Sequence, residues 1–575
     1  MQASDESAQS TTGRSYRRDP SPFFKRHRTN RLIDQLAAAP DLTIYAGAGV
    51  TIDQGGLSWS QLVHRVAMST IVRANNIVND TDIRMLGTAI NPLEAATAIL
   101  QHFQKATGEN FDQNEANDAL ISCIGYSLYP GARWNGGELA RGIATVALVR
   151  AVNGMKTRII TTNYDTLLEA NVSEQRESFV QSFERFGLSD SVPELAIYCL
   201  GDDEMPAEAD ALSLIYLHGR ISTSPTEPAR GDIAFTEIDY AKSRSAVSTL
   251  LYETFKYTPL LILGASLTDP PLIAALQDTT PQTEGKQSDT LYHRVALLPI
   301  PAIQEQTHQE LNAEETQSVC KQQVARMKAL GVELLVPDFY SSVAQFCDEL
   351  DCSMYRQLWG PQRPKAIVSP YWDRLSAWWD DWYHTRYRNR ARRRALDRYL
   401  RLFLTELAAD ILEATGRKED LKVELWCIWD PSEQRRTMRL WASSGWPRSQ
   451  WDDGDIDYLE ATSPIAEITR ECAYPAVRAL IEGHPRLSDA GEVTAQSSVD
   501  NPHVSRWRTF LAVPISVSVG YGRNAVGAVT LASMAEESHL NASQPALLDK
   551  CVRRMRHIGQ MSLGLSKKTY STYSG

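Results

Sequence analysis

Gly47-Ala48-Gly49 follows directly on the apolar run Leu42–Ala46, and the stretch continues through Val50, Thr51, Ile52 and Asp53 to Gly55-Gly56-Leu57-Ser58-Trp59. A strand that opens through glycines lets backbone N–H groups approach a pyrophosphate closely. The dinucleotide fingerprint G-x-G-x-x-G would need glycine at position 52, where Ile52 stands, so the ordinary dehydrogenase arrangement is excluded. Taken alone, such a turn is equally well a tight strand end. Three further apolar runs end in polar or glycine-rich exits: Thr161-Thr162-Asn163-Tyr164-Asp165, Leu217-His218-Gly219, and Gly264-Ala265-Ser266-Leu267-Thr268-Asp269. Amide, imidazole and carboxylate groups at these places are hydrogen-bonding and titratable types. Singly, His218 reads as a structural histidine, and Asn163 with Asp165 as a turn and helix cap. Together they predict one crevice, because open α/β sheets bind ligands outside the carboxyl ends of their strands.

Holding these groups side by side requires a parallel sheet. TRIITTN, SLIYLHG, PLLILGAS, HRVALLP and VELLVPD, with LTIYA before them, are short buried strands alternating with helical patterns, the signature of a sheet covered on both faces. A short helix pattern, RLIDQLAAAP, precedes the first strand and stops at Pro40, and a helical insertion runs from about Ser60 to Asn153. This unit is expected to span residues 30–352, after a disordered polar tail over 1–29. Residues 353–400 read as a linker rich in Trp and Arg, containing Trp359, Trp372, Trp378 and Trp379 and then Arg386, Arg388, Arg390, Arg392, Arg393 and Arg394. The tryptophans predict an interdomain or oligomer seam, and the arginines a solvated helix face in preference to a phosphate-backbone site. Residues 401–568 change to paired strands: LKVELWCIWD beside TMRLWASSGW, a helix around Ile465 to Glu482, RTFLAVPISV beside AVGAVTLAS, and a closing helix from about Asn541 to Gly564. This is α+β grammar.

Composition bounds the rest. A chain of 575 residues exceeds one ordinary domain, and 43% hydrophobic with 22% charged residues is the balance of a globular protein. Fifty-nine basic against 70 acidic residues give a net charge of −11, so nucleic-acid binding would need a local basic patch and is not expected. No apolar run is long enough to span a bilayer and no signal-type h-region opens the chain, which predicts a cytoplasmic protein with no membrane partner. Eight scattered cysteines lack paired metal-ligand spacing, so buried thiols are expected and no metal.

GAGVT with GGLSW, TTNYD, LHG and GASLTDPP, in that order, resemble the sirtuin-type NAD-consuming domain, and more closely the branch found in prokaryotic antiphage defence effectors. The resemblance implies a Rossmann-like α/β domain. It also implies that Asn163 orients the nicotinamide ribose and the attacking water, and that His218 accepts a proton. It places Gly47, Ala48, Gly49 and Thr51 at the diphosphate, Gly264 and Ser266 toward adenosine, and Asp53 and Asp165 near the nicotinamide ribose or supporting the turn. Asp269 stays open between ligand contact and helix cap. Deacylating sirtuins carry G-I-P-D-F-R, T-Q-N-I-D and a four-cysteine zinc module; GGLSW and TTNYD stand in place of the first two here, and the zinc module is missing. These departures point away from acyl-lysine and toward hydrolysis of NAD itself. The family's T-E-x-D-Y segment is matched by Thr236, Glu237, Asp239 and Tyr240.

RTFLAVPISV followed by AVGAVTLAS is similar to the central hairpin of GAF domains, which implies a sensor or dimerisation unit. The expected protein is therefore an NAD+ glycohydrolase that stays latent until triggered. It is expected to be homo-oligomeric, with a companion defence protein or a phage-derived trigger as further partner. The alternatives are a sirtuin-type deacylase or ADP-ribosyltransferase, a non-catalytic NAD-sensing regulator, and a nucleic-acid scaffold built on the arginine-rich helix.

Overall fold

A computed structural model describes residues 22–68, 92–106, 113–129, 137–184, 191–202, 211–224, 227–280, 293–307, 311–359, 370–431, 436–444, 463–489, 507–519, 522–535 and 545–564. Among them, seven strands form one parallel sheet: β1 (Asp41–Ala46), β2 (Lys156–Thr161), β3 (Ala196–Cys199), β4 (Leu212–Tyr216), β5 (Leu260–Leu263), β6 (Arg294–Leu297) and β7 (Glu333–Leu335). Their spatial order is β3-β4-β2-β1-β5-β6-β7. The order reverses direction at β1, between β2 and β5, which is where this architecture opens a crevice.

Both faces of the sheet are buried, and alternate residues of each strand enter different cores. Leu42, Ile44, Ile159 and Leu261 join one core, while Tyr45, Ile160, Leu260 and Ile262 join the other. On the first face lie the helices His27–Ala38, Glu138–Val152, Leu167–Glu184 and Ser341–Trp359; on the second lie Glu237–Tyr257, Pro270–Asp278, Ile300–Thr307 and Ala313–Ala329. A third cluster, built on Trp59–Met68, Pro92–Ala106 and Gln113–Leu128, packs on Tyr164, Ile221 and Phe235 beside the strand exits. Three described helices of the expected insertion thus lie beside the strand exits, while its last, Glu138–Val152, covers the first face of the sheet.

The second unit holds an antiparallel sheet of six strands among the described residues: β8 (Leu421–Trp429), β9 (Thr437–Ser443), β10 (Ile465–Glu467), β11 (Arg486–Asp489), β12 (Thr509–Val519) and β13 (Gly522–Ser533). The order is β10-β9-β8-β13-β12-β11, with both expected strand pairs present. The helix Pro545–Leu563 closes the unit.

Several expectations need correction. The helix expected around Ile465 to Glu482 is a strand, β10, paired with β9, followed by a helix that starts only at Pro475, where proline suits the first turn. The boundaries expected at 352 and 400 fall within the continuous helices Ser341–Trp359 and Arg390–Thr415. The tail expected over 1–29 is ordered from Pro22, because Phe23 and Phe24 are buried and Phe24 packs on Tyr371 at 5.1 Å; residues 1–21 lie outside the described ones. The four-residue β3 was not foreseen.

The tryptophan tract is a seam within the chain. Trp378 and Trp382 stack at 5.5 Å, and their indole N–H groups donate to Leu563 O (2.7 Å) and Ser562 O (3.1 Å), carbonyls that the closing helix leaves unpaired at its end. Arg386 donates to Met561 O at the same helix end, and Arg388 stacks on Tyr383 at 5.2 Å, so part of the arginine run has a structural use. A cavity in the seam, lined by Phe23, Phe339, Tyr371, Trp372, Arg436 and Leu480 among others, includes none of the strand-exit residues.

Candidate functional site

The exits of β4, β2, β1 and β5, four neighbouring strands, stand side by side at the carboxyl end of the sheet. The β1 exit is pressed against the β5 exit. Gly47 N–H donates to Leu263 O (3.0 Å) and Gly49 N–H to Gly264 O (2.9 Å). A Cβ on Gly47 would lie 2.6 Å from Gly264 O, and one on Gly264 would lie 2.5 Å from Val50 N. Two of the N–H groups expected at a diphosphate are thus committed to β5, and the glycines bring two backbones together. Gly264 also adopts φ +63°, a region that costs other residues about 1–2 kcal/mol. Gly264→Ala is therefore expected to destabilise the protein by at least about 2 kcal/mol, strain and clash combined. A denaturation midpoint equal to wild type would show that the loops do not meet this closely.

Thr51 links the β1 and β2 exits. Its hydroxyl accepts from Asn163 Nδ2 (3.1 Å) and donates to Asp165 Oδ2 (3.2 Å). Asp165 Oδ1 accepts from Leu167 N–H (3.1 Å), at the start of the helix Leu167–Glu184. Burial pushes the Asp165 carboxyl up from the ordinary 3.8 to about 6. The Thr51 bond fixes the orientation of the Asn163 amide. Asn163 is 5% exposed, and its Oδ1 is buried with no hydrogen-bond partner among the described residues. A buried carbonyl oxygen without a donor is costly, and a hydroxyl or water bound there would relieve it.

His218 is the same kind of group. It is 2% exposed, and its Nδ1 is buried with no hydrogen-bond partner among the described residues. The Tyr240 ring lies over the imidazole at 4.7 Å. Tyr240 is placed by a capping box in which Thr236 and Asp239 start the helix Glu237–Tyr257, which is the structural use of the T-E-x-D-Y segment. Trp59, Tyr164 and Phe235 extend this aromatic wall, with Trp59 5.1 Å from Phe235 and 5.9 Å from Tyr164. Periodicity alone did not mark Phe235 as part of it.

Burial lowers the His218 pKa from 6.5 to about 4, so the ring is neutral above that. The unfolded chain takes up this proton near 6.5 and the folded chain only near 4; stability from this group is therefore lost as pH falls through that window. Asp53 and Asp165, both raised to about 6, act with the opposite sign, holding protons in the folded state that the unfolded state has released. His218→Gln is therefore expected to lose less stability than wild type between pH 6.5 and 4 in urea melts. Parallel pH profiles for the two proteins would mean that the imidazole is not buried in solution.

Asp53 does not turn toward the other exits. Its Oδ2 accepts from Leu139 N–H (3.2 Å), at the start of the helix Glu138–Val152, and its Oδ1 is buried without a hydrogen-bond partner among the described residues. Asp269 occupies the N-cap position of Pro270–Asp278, while its Oδ2 accepts from Tyr45 hydroxyl at 2.9 Å. Ser266 is exposed and its hydroxyl pairs with Thr268 at 2.7 Å. The structure thus joins Thr51, Asn163 and Asp165 in one hydrogen-bonded set, with His218 at the neighbouring exit and Gly264 against the loop. Asp53 and Ser266 stand outside that set.

All eight cysteines are free, seven of them buried. Among the described residues no His, Cys, Asp and Glu group is arranged for a metal, and no helix is long and apolar enough to cross a membrane. No curated protein matches the chain. Residues 157–319 match the family model of the SIR2-like domain, a span that holds the Asn163, His218 and Gly264 exits, with the Gly47 loop joined to it by β1 pairing. The parallel-sheet unit is accordingly sirtuin-like, and domains of this kind are commonly NAD-dependent enzymes.

Proposed function

We propose that the chain is an NAD+ glycohydrolase that cleaves NAD to nicotinamide and ADP-ribose, with Asn163 and His218 as its catalytic residues. The observation that carries this reading is a pair of buried polar atoms without a hydrogen-bond partner among the described residues, Asn163 Oδ1 and His218 Nδ1, at the exits of adjacent strands in a sirtuin-like sheet. Both need a hydrogen-bonding ligand, and water attacking a ribose carbon supplies one.

In the proposed step the bond between ribose C1′ and the nicotinamide nitrogen breaks, and its electron pair neutralises the pyridinium ring. Water oxygen bonds to C1′, and the proton it loses passes to the His218 imidazole. Asn163, held by Thr51, directs the water or the ribose hydroxyls through Oδ1. The aromatic wall of Trp59, Tyr164 and Tyr240 offers π-faces to the cationic nicotinamide ring. Gly47, Ala48, Gly49 and Thr51 would border the diphosphate, and Gly264 and Ser266 the adenosine side.

An imidazole held near 4 and covered by Tyr240 is a poor proton acceptor at neutral pH, which fits a latent resting form. Activation would uncover His218 and raise its pKa. The GAF-like reading of the second unit, homo-oligomer assembly, a cytoplasmic setting and a role in antiphage defence by NAD depletion belong to the same proposal. The test is product analysis: purified protein, resting and assembled, is incubated with NAD while nicotinamide and ADP-ribose are followed by chromatography. Equal release of both supports hydrolysis. Binding of unchanged NAD in every assembly state would leave a sensor, and nicotinamide release only with an acceptor protein would make it a transferase.

A further inference from the structure

The loop after β1 abuts the start of the helix Glu138–Val152, and an arginine of the second unit reaches that same helix start. Beyond Thr51 the chain makes the short turn Ile52–Gln54, and the helix Glu138–Val152 begins directly against it. Leu139 N–H donates to Asp53 Oδ2 at 3.2 Å, and a Cβ on Gly137 would lie 2.4 Å from both Asp53 Oδ1 and Gln54 Cγ. The helix start and the loop are therefore in contact with no slack, and a shift of one displaces the other.

Glu138, the first residue of that helix, forms ion pairs with two arginines. Arg141 of its own helix stands at 2.8 Å and Arg523 of β13 at 3.6 Å. Burial opposes ionisation of Glu138, but Arg523, Arg141 and Arg556 outweigh it and hold the carboxyl at about 2. The opening of β13 is itself tightly seated. Arg523 O accepts from Gln345 Nε2 at 2.7 Å, Asn524 Nδ2 donates to Tyr371 O at 3.2 Å, and Asn524 Oδ1 accepts from Arg374 Nε at 3.1 Å. A Cβ on Gly522 would lie 2.5 Å from Cys352 Sγ. Arg141 would serve Glu138 whether or not the second unit were docked; Arg523 does so only when it is.

We propose that Arg523 and Glu138 are positioning residues for the Gly47–Gly56 loop, so that docking of the C-terminal sheet sets the geometry of the strand-exit site through the chain Arg523, Glu138, Leu139 N–H, Asp53 and Thr51. The role assigned to the loop rests on the proposed NAD site, but the mechanical link does not. A change in the C-terminal sheet that moves the start of β13 loosens the loop that holds Thr51, and through Thr51 the Asn163 amide.

The test is hydrogen–deuterium exchange on the full-length resting protein without NAD, followed at residues 47–56. Arg523→Ala is expected to speed exchange there about 10-fold, within the usual range of coupling between sites. Arg523→Lys should restore most of the protection, and Arg553→Ala, which removes an exposed ion pair elsewhere in the unit, should change nothing in the loop. Glu138→Gln keeps the side-chain shape and serves as the second probe should Arg523→Ala fold poorly; it is expected to match the alanine variant. Unchanged exchange at 47–56 in Glu138→Gln, with Arg523→Ala also unchanged or unfolded, would overturn the link. Because no NAD is present, that result is separate from failure of the hydrolase reading, which shows only in product analysis.

Discussion

His218→Ala is expected to lower NAD turnover by about 10²- to 10⁴-fold, the usual contribution of a positioned proton acceptor. Asn163→Ala should lose about 10²- to 10³-fold, as when one oriented polar group is removed from a transition state. Neither loss should come from unfolding. Asn163 Oδ1 and His218 Nδ1 are already buried without hydrogen-bond partners among the described residues, so an apolar replacement removes a cost of desolvation. His218→Leu is accordingly expected to melt at or above the wild-type temperature while being inactive, the pattern of a site that trades stability for function. Thr51→Val should fall between, because the Asn163 amide keeps its place but loses the hydroxyl that fixes its orientation. Full turnover in either alanine variant would remove the proposed chemistry from these residues.

The largest expected loss of stability lies in the seam. Arg374 is fully buried at 0% exposure and Glu349 is 5% exposed. Arg374 Nη1 donates to Glu349 Oε2 at 3.2 Å, with a second, shorter bond from Nη2 to Oε1, and Nε donates to Asn524. Arg374→Ala leaves a buried carboxylate without its guanidinium, which typically costs about 3–5 kcal/mol. Replacing both partners, Arg374→Met with Glu349→Leu, should recover most of that, since the pair offsets a desolvation penalty that an apolar pair does not incur. Chemical denaturation of the single and double variants checks this. A double variant as unstable as Arg374→Ala would mean that the network stabilises through Asn524 and Tyr371, not through the ion pair.

The parallel strands were legible because their signal is local. Runs such as LLIL in β5 and LSLIY in β4 are apolar on both faces, which only a doubly covered sheet accommodates. The strand-exit motifs were legible for a related reason: glycine, Asn and His directly after an apolar run are poor continuations of a strand, so they mark its end wherever it lies in space. The helix expected across Ile465 misled because three apolar-polar residues beside a later amphipathic segment look helical until β9 supplies a partner. The arginine run looked like one charged face, yet Arg386 is drawn to a helix end contributed by residues far along the chain.

Local residue order therefore determined which segments are strands, where each one stops and which reactive groups stand at the stops, since these follow from backbone preference and burial periodicity over a few neighbours. Tertiary structure alone decided what those groups face. It turned Asp53 toward Leu139, laid Tyr240 over His218, set Thr51 between Asn163 and Asp165, and buried Arg374 with Glu349. Each of these depends on close packing and on charges brought together in a low dielectric, and such terms act between residues that no local pattern connects.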